Sequence, residues 1–310
     1  MPKQQISAIL IAGPTAGGKS AVAMALADKI GGTIVNADSM QVYRELRQLT
    51  ARPSAEDEAA IPHRLYGFVP VSQAYSVGQW LEDVAREIEA VRREERIPII
   101  TGGTGLYFKA LLEGLAPVPD IPDSVRERWR AEAKRLRPKE LHGRLVDRDP
   151  EMAERLRPED SQRIVRALEV IEATGRSLSE WQDMPAKPVL DASAARKIVI
   201  ASDRETLYGR IDARVDRMMD QGALEEVAAL KDLELDPELP AMRALGVEAL
   251  MAHLAGETEK KEAISGFKTE TRRYAKRQMT WLRGNMMSWQ WIDTKDSKSF
   301  LPKILSFVDV

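Results

Sequence analysis

The sequence predicts an α/β fold, a doubly wound parallel sheet flanked by helices and interrupted by an all-helical insertion. Three observations carry this. Short apolar runs bounded by glycine alternate with amphipathic stretches, the pattern of strands joined by crossover helices. The first run leads into "GPTAGGKS", Gly13 to Ser20, a glycine loop whose context is a strand before and a helix after. Between a proline-rich stretch at 116–124 and an apolar run at 195–201, no strand pattern occurs.

The elements follow in order. "ISAILIA" (6–12) reads as a buried parallel strand, a short apolar run ending at glycine. A helix runs from Lys19 to about Ile30, and "TIVNA" is a second strand that delivers Asp38 at its end. "VGQWLEDVAREIEAVRREE" is a helix with a charged outer face, and "IPIIT" (97–101) a third strand, followed by "GGTGLY" and an apolar helix. The three prolines of "APVPDIPDS" end that helix and begin a connection. Ser124 and Glu127 fit a capping box opening "VRERWRAEAKRLR". Short helices continue to about Gly175, and "ARKIVIA" (195–201) returns to strand. "DRETLYGRIDARVDRMMDQG" is a helix with Leu207, Ile211, Val215 and Met218 on one face and Gly222 suited to its C-cap. A helix of roughly 25 residues ends near Arg283, "WQWID" is a last strand, and a final helix covers 297–308. The core is therefore expected over 1–118 and 195–310, and the insertion over 119–194.

Composition bounds the chemistry. The 310 residues suit one large α/β domain or a core with an insertion, and 44% hydrophobic residues can fill such a core. The absence of cysteine excludes disulfides, thiolate catalysis and cysteine-ligated metal centres. No apolar run approaches the roughly 20 residues of a membrane span. "ISAILIAG" is too short for a signal peptide, so a cytoplasmic, soluble protein is expected. The net charge of -2 means that nucleic-acid binding would need a local basic face. His63, His142 and His253 are scattered without ligand spacing, and the tryptophans read as core or interface.

Gly13 to Ser20 fits G-x-x-x-x-G-K-[ST]. Its glycines let backbone N–H groups turn inward onto phosphate, and the helix N-terminus adds a favourable dipole. Lys19 would neutralise phosphate charge and the Ser20 hydroxyl would ligate Mg²⁺. The loop does not say whose phosphate it holds. An enzyme that attacks phosphorus usually ends a second apolar strand in aspartate; "IPIIT" ends in Thr101 and Gly102 instead. Asp38, the other candidate for such an aspartate, reads either as a group at the sheet's carboxyl edge that accepts a proton or hydrogen bond from an attacking amine or holds Mg²⁺ through water, or as the N-cap of a helix beginning at "DSMQ". Thr104 reads either as a hydroxyl aimed at the same edge or as ordinary turn chemistry.

Two segments, Arg126–Arg137 and Arg272–Arg283, concentrate positive charge. In the second, Arg272, Arg273, Lys276, Arg277 and Arg283 have no acid between them and alternate with Tyr274 and Trp281. This fits a phosphodiester backbone with stacked bases, or a solvated helix face over core aromatics. In "SQRIVRALEVIEATG", Ile164, Leu168 and Ile171 form a core stripe, and Gln162, Arg163 and Arg166 fall outside it. Arg210, Arg214 and Arg217 form a further basic stripe opposite Leu207, Ile211 and Val215.

Seven stretches, "GPTAGGKS", "NADSMQVYR", "IPHRL", "GGTGLY", "SQRIVRALEV", "RIDARVDRM" and "YAKRQMTWLR", occur in one order. Together they resemble the bacterial tRNA dimethylallyltransferases (tRNA isopentenyltransferases) from about Ile6 to Trp291. The resemblance implies a P-loop NTPase-like core with a helical insertion. It implies transfer of a dimethylallyl group from dimethylallyl diphosphate to the exocyclic amine (N6) of the adenine 3′ of the anticodon, tRNA position 37. Mg²⁺ assists, diphosphate leaves, and the anticodon stem-loop of tRNA is the partner; a monomer is expected, although the sequence itself does not give the oligomeric state. It assigns the diphosphate to Gly13, Pro14, Thr15, Ala16, Gly17, Gly18, Lys19 and Ser20, and the metal to Ser20. It assigns chemistry to Asp38, Thr104, Lys19 and Arg210. It assigns tRNA contacts to Asp38, Ser39, Met40 and Gln41, to Thr104 and Arg126, and to Gln162, Arg163, Ile164, Val165 and Arg166; the basic segment adds Arg272, Arg273, Lys276 and Arg277. Three residues depart from the family pattern: Gly17 replaces a common serine, Val247 a tyrosine and Trp80 a phenylalanine. The alternatives are a P-loop small-molecule kinase, an adenylate prenyltransferase acting on free nucleotide, and a nucleotide-switched RNA-binding protein without turnover.

Overall fold

The structure is a computed structural model that describes residues 6–293 and 300–308. Six strands form one parallel sheet: β1 (Ala8–Ala12), β2 (Gly32–Asn36), β3 (His63–Arg64), β4 (Ile97–Gly102), β5 (Ala195–Ala201) and β6 (Gln290–Asp293). Their order is β3-β2-β4-β1-β5-β6. β1 lies centrally, pairing Ile11 with Thr101 of β4 on one side and with Ile198 of β5 on the other. The chain leaves β1 toward β2 and later returns to β5 on the opposite flank. A crevice opens at the carboxyl end of β1, where ligands of open α/β sheets bind.

Strand side chains alternate between two faces. Ile9, Ile11, Ile34, Ile99 and Ile198 pack against Val22, Ala23 and Leu26 of α1 (Lys19–Ile30). Leu10, Val35, Ile100 and Val199 face the other way. They meet Trp80, Val84 and Ile88 of the third helix and Phe108 and Leu111 of the fourth. The helices on this stretch are α2 (Ala55–Ala60), α3 (Val77–Arg93) and α4 (Gly105–Glu113). Because both faces are covered, β1 and β2 are buried at every position, which is why they read as apolar runs rather than as alternation. Trp80 does more than fill volume. Its indole N–H donates to Asn36 O at 2.9 Å and its ring stacks on Tyr107 at 4.1 Å. The phenylalanine of the family pattern has no N–H to make that bond.

The chain divides into two compact units, Met1–Leu112 with Val189–Val310, and Glu113–Pro188. The second is all-helical: α5 (Asp123–Arg135), α6 (Pro138–Arg148), α7 (Pro150–Arg155), α8 (Ser161–Thr174) and α9 (Leu178–Gln182). Its core joins Trp129, Leu141, Leu145, Ile164 and Leu168. The expected capping box at Ser124 is not formed. α5 begins two residues earlier, with Pro122 as N-cap and no side-chain cap, because Pro122 already fixes a backbone turn there.

After β5 the first unit continues through α10 (Arg204–Asp220), α11 (Ala223–Asp232), α12 (Val247–Leu254) and α13 (Lys260–Asn285). Leu207, Ile211, Val215 and Met218 are all buried, as their spacing predicts. Gly222 is not the C-cap of α10, a position held by Gln221; it takes the left-handed conformation that starts α11. Val247 is buried in a cluster with Phe267 and Leu250, so the smaller side chain is accommodated without exposure. The last described helix is α14 (Phe300–Val308); 297–299 of the expected helix lie outside the described residues. No described helix is long and apolar enough to cross a membrane.

Candidate active site

The carboxyl end of β1 runs directly into the glycine loop, and α1 begins at Lys19. Gly18 holds φ at +94°, the left-handed region that only glycine enters without strain. It is the N-cap of α1 and offers no side-chain cap. The first-turn amides are thus left for a ligand, and they carry the positive end of the helix dipole. Lys19 Nζ reaches back across the loop to Pro14 O at 3.2 Å.

The loop borders a cavity of about 770 Å³ whose other walls include Thr101 and Arg210, Arg214 and Arg217 of α10. The basic stripe read from the sequence is therefore turned onto the phosphate loop. Arg210, to which the resemblance assigns chemistry, lines this cavity. Arg214 and Arg217 were not assigned a role from the sequence; the signal was their helical spacing with Arg210, but sequence alone does not say which element that face meets.

Burial pulls the Lys19 amine down from its ordinary 10.5 to about 8; Asp38 opposes this and Arg214 adds to it. Burial likewise lowers Arg214, with Asp38 opposing. Both residues are half-buried and line the cavity. Burial raises Tyr66, Tyr107 and Tyr274 above the ordinary phenol value, and Asp38 is the second cause in each. One carboxylate is thus the negative centre among two half-buried cations and three phenols.

A pH prediction follows for Lys19. Affinity of the free protein for a diphosphate will fall as pH rises through about 8, as the amine loses its proton. Stability will move the other way. Between about 8 and 10.5 the unfolded amine holds a proton that the folded one has released, so this residue's contribution rises with pH across that window. Calorimetric titration and denaturant unfolding over pH 7 to roughly 10.5 check both trends, and Lys19→Met removes both.

Asp38 is held by the loop after β2. Asn36 Oδ1 accepts from Asp38 N at 2.8 Å, and Asn36 Nδ2 donates to Asp38 O at 2.9 Å and Leu65 O at 3.0 Å. Asp38 Oδ1 accepts from Met40 N at 3.0 Å. This is a local turn, and no helix follows it before Ala55. The helix-cap alternative is therefore corrected: the short polar side chain captures the backbone two residues on, as aspartate does in turns. Gln41 Nε2 donates to Thr50 O at 2.9 Å and Ala51 O at 3.1 Å, pinning the same loop.

Thr104 belongs to this assembly. Its N–H donates to Ala37 O at 3.2 Å, and its Oγ1 accepts from Ser39 N at 3.0 Å. Gly102 packs so closely that a Cβ there would lie 2.0 Å from Ala37 O. The turn after β4 and the loop carrying Asp38 are in direct contact. Gln278 of α13, which sequence reasoning missed, joins them to the phosphate loop. It is buried; its Oε1 accepts from Thr15 N at 2.9 Å and its Nε2 donates to Gly103 O at 2.9 Å. The available signal was a polar residue within the buried stripe Ala275, Met279, Leu282.

The basic residues separate into two kinds. Arg272 is withdrawn from the exposed set: its guanidinium donates to Asp212 Oδ1 at 2.9 Å and stacks over Tyr208. Charge runs along a sequence do not reveal a partner on another helix. Arg273, Lys276 and Arg277 are exposed on α13, Arg277 lying 5.6 Å from the Tyr274 ring centroid. Within the second unit, Gln162 and Arg163 are exposed, Val165 is half-buried and Arg166 lies 3.5 Å from Glu169. Arg126 pairs with Asp123 at 3.5 Å. Ile164 is fully buried, so its side chain is corrected from a contact residue to a core residue of α8, as its place in the apolar stripe requires.

Comparison with known proteins agrees with this arrangement. The family model described as IPP transferase matches residues 41–285, and that described as isopentenyl transferase matches 6–67. The tRNA dimethylallyltransferase of Parvibaculum lavamentivorans is 53% identical over 302 residues, covering 97% of this chain and 96% of the relative. That of Nitrobacter hamburgensis is 50% identical over 298 residues, covering 96% and 94%. Among solved structures, the tRNA isopentenylpyrophosphate transferase of Bacillus halodurans superposes with a TM-score of 0.70 at 31% identity, covering 99% of this chain and 96% of that one. A eukaryotic dimethylallyltransferase described as acting on tRNA gives 0.83 at 27% identity, covering 97% and 78%. Fold, order of motifs and similarity along nearly the whole chain agree, and the chain belongs to the IPP transferase family.

Proposed function

We propose that this chain transfers a dimethylallyl group from dimethylallyl diphosphate to N6 of the adenine directly 3′ of the tRNA anticodon, position 37, releasing diphosphate. One observation carries the reading at the level of chemistry. Lys19 of the phosphate loop and Arg214 of the cavity's arginine wall lie within electrostatic reach of Asp38, while the strand end that would hold a metal-binding aspartate carries Thr101. Such a site holds a diphosphate as a leaving group. The adenine amine attacks the allylic carbon, its C–N bond forms as the C–O bond to diphosphate breaks, and the amine proton passes to Asp38. Charge grows on the departing oxygen, so Lys19, Arg210, Arg214 and the loop amides stabilise the transition state more than the ground state. Thr104 orients the Asp38 loop through Ser39.

Magnesium fits this site only together with substrate. The described residues contain no group of three or more histidine, aspartate or glutamate side chains able to hold it. Ser20 offers one hydroxyl, and the Asp57 carboxylate on the cavity wall is engaged with Ser54 N. Mg²⁺ keeps several waters and takes its remaining ligands from phosphate oxygens, and when bound it would neutralise leaving-group charge. Titration of the free protein with Mg²⁺ will therefore give no measurable heat, while the cation tightens diphosphate binding. Tight Mg²⁺ binding without diphosphate would contradict this.

The tRNA reading draws support from the exposed cations. Arg163, Arg273, Lys276 and Arg277 neutralising about four phosphates give a slope of log K against log salt near -3. Filter binding of an unmodified anticodon stem-loop across a salt series checks it, and a flat response would remove tRNA from the proposal. Incubation with labelled dimethylallyl diphosphate and unmodified tRNA tests the activity, with AMP as acceptor and ATP as donor in parallel. Label in tRNA is expected. Label in AMP alone would indicate the adenylate prenyltransferase, and phosphoryl transfer from ATP the kinase.

A further inference from the structure

We propose that the Thr101 hydroxyl is an additional hydrogen-bond donor to the diphosphate end of the bound substrate, an inference that rests on the reaction proposed above for the same cavity. Thr101 is 4% exposed and its Oγ1 has no hydrogen-bond partner among the described residues. Thr101 nevertheless lines the same cavity as Gly17, Lys19, Ser20 and Arg214. The strand's parity places it there. Ile99, two residues earlier, packs with α1, and Thr101 continues that face at the carboxyl end of β4, opposite Ile11 of β1.

A buried hydroxyl without a partner is costly, and an apolar side chain of the same shape would be neutral or better. Valine has that shape and suits a strand. The backbone does not explain the threonine either, since Thr101 O already accepts from Ala37 N at 2.8 Å. A ligand oxygen does explain it. The neighbouring strand end is where phosphoryl-transfer enzymes keep a carboxylate for their metal. A neutral hydroxyl at that place can donate to a phosphate oxygen without adding negative charge next to the leaving group. It is a binding residue for the same diphosphate that Lys19 neutralises.

The test compares wild type with Thr101→Val, Thr101→Ser and Lys19→Ala, by calorimetric titration with inorganic diphosphate and with dimethylallyl diphosphate in Mg²⁺, and by thermal unfolding without ligand. Hydrogen bonds to charged groups are the stronger class, so Thr101→Val will bind both ligands roughly tenfold more weakly. Its ligand-free melting temperature will be equal to wild type or higher, and Thr101→Ser will bind close to wild type. Unchanged binding by Thr101→Val overturns the inference. A lowered ligand-free melting temperature overturns it too, because the hydroxyl would then have a structural partner. If Lys19→Ala loses diphosphate while Thr101→Val does not, only this inference fails; if Lys19→Ala also binds as wild type, the diphosphate site itself is misplaced.

Discussion

Asp38→Asn will lower kcat by about 10²–10⁴-fold, the usual contribution of a positioned general base. Asparagine keeps the shape of aspartate and can still accept from Met40 N, so the turn at 38–40 survives. It cannot take up the amine proton. It also removes the one carboxylate that acts on both Lys19 and Arg214, and that carboxylate repels an incoming diphosphate. The variant should therefore show an unchanged or lower KM for dimethylallyl diphosphate alongside the fallen kcat. A residue that merely shaped the loop would raise KM or lower stability. Steady-state kinetics at saturating tRNA, with circular dichroism melts of both proteins, decide between these. Near-normal turnover by the asparagine variant would mean that the amine needs no base at this position.

Lys19→Ala will lower kcat/KM for dimethylallyl diphosphate by about 10²–10³-fold, in the range for removing one preorganised charge-stabilising donor. Binding of the anticodon stem-loop will remain within a few-fold of wild type, since the exposed cations proposed to meet phosphodiester lie on α13 and α8 and not in the loop. Removing Lys19 also frees Pro14 O from its only described side-chain contact. Even so, Gln278 still fixes Thr15 N, so the loop should keep its course. Equal loss of diphosphate and tRNA binding would show that Lys19 holds the fold rather than the ligand.

Much of this was legible in the sequence, for identifiable reasons. β1, β4 and β5 announce themselves as apolar runs because both faces of a parallel sheet are covered. The glycine loop is legible because its conformation demands glycine at positions such as Gly18. The stripe of Leu207, Ile211, Val215 and Met218 fixed the inner face of α10. What stayed hidden depends on which elements meet. Arg214 reads as solvated charge until α10 is laid against the phosphate loop. Arg272 reads as a free cation until Asp212, 60 residues away, is found beside it. Gln278 reads as one polar residue of a helix until its two ends are seen to hold Thr15 and Gly103. The stretch after Asp38 looks like a helix start because aspartate caps helices and closes turns with the same hydrogen bond. Only the downstream contacts of Gln41 and Thr104 select the turn. Two-residue β3 carries too few side chains for any periodicity to show.

The question left by the glycine loop was whether its phosphate is attacked or departs. The most direct measurement places a heavy-oxygen label at the bridging position of dimethylallyl diphosphate, lets the protein act on unmodified tRNA, and reads the released diphosphate by mass spectrometry. Attack at the allylic carbon breaks the carbon–oxygen bond, so the label will be found in diphosphate and the tRNA will gain a hydrocarbon group on one adenine. Label retained on a dimethylallyl oxygen, with unlabelled phosphate released, would mean that the loop serves attack at phosphorus and would contradict alkyl transfer at this site.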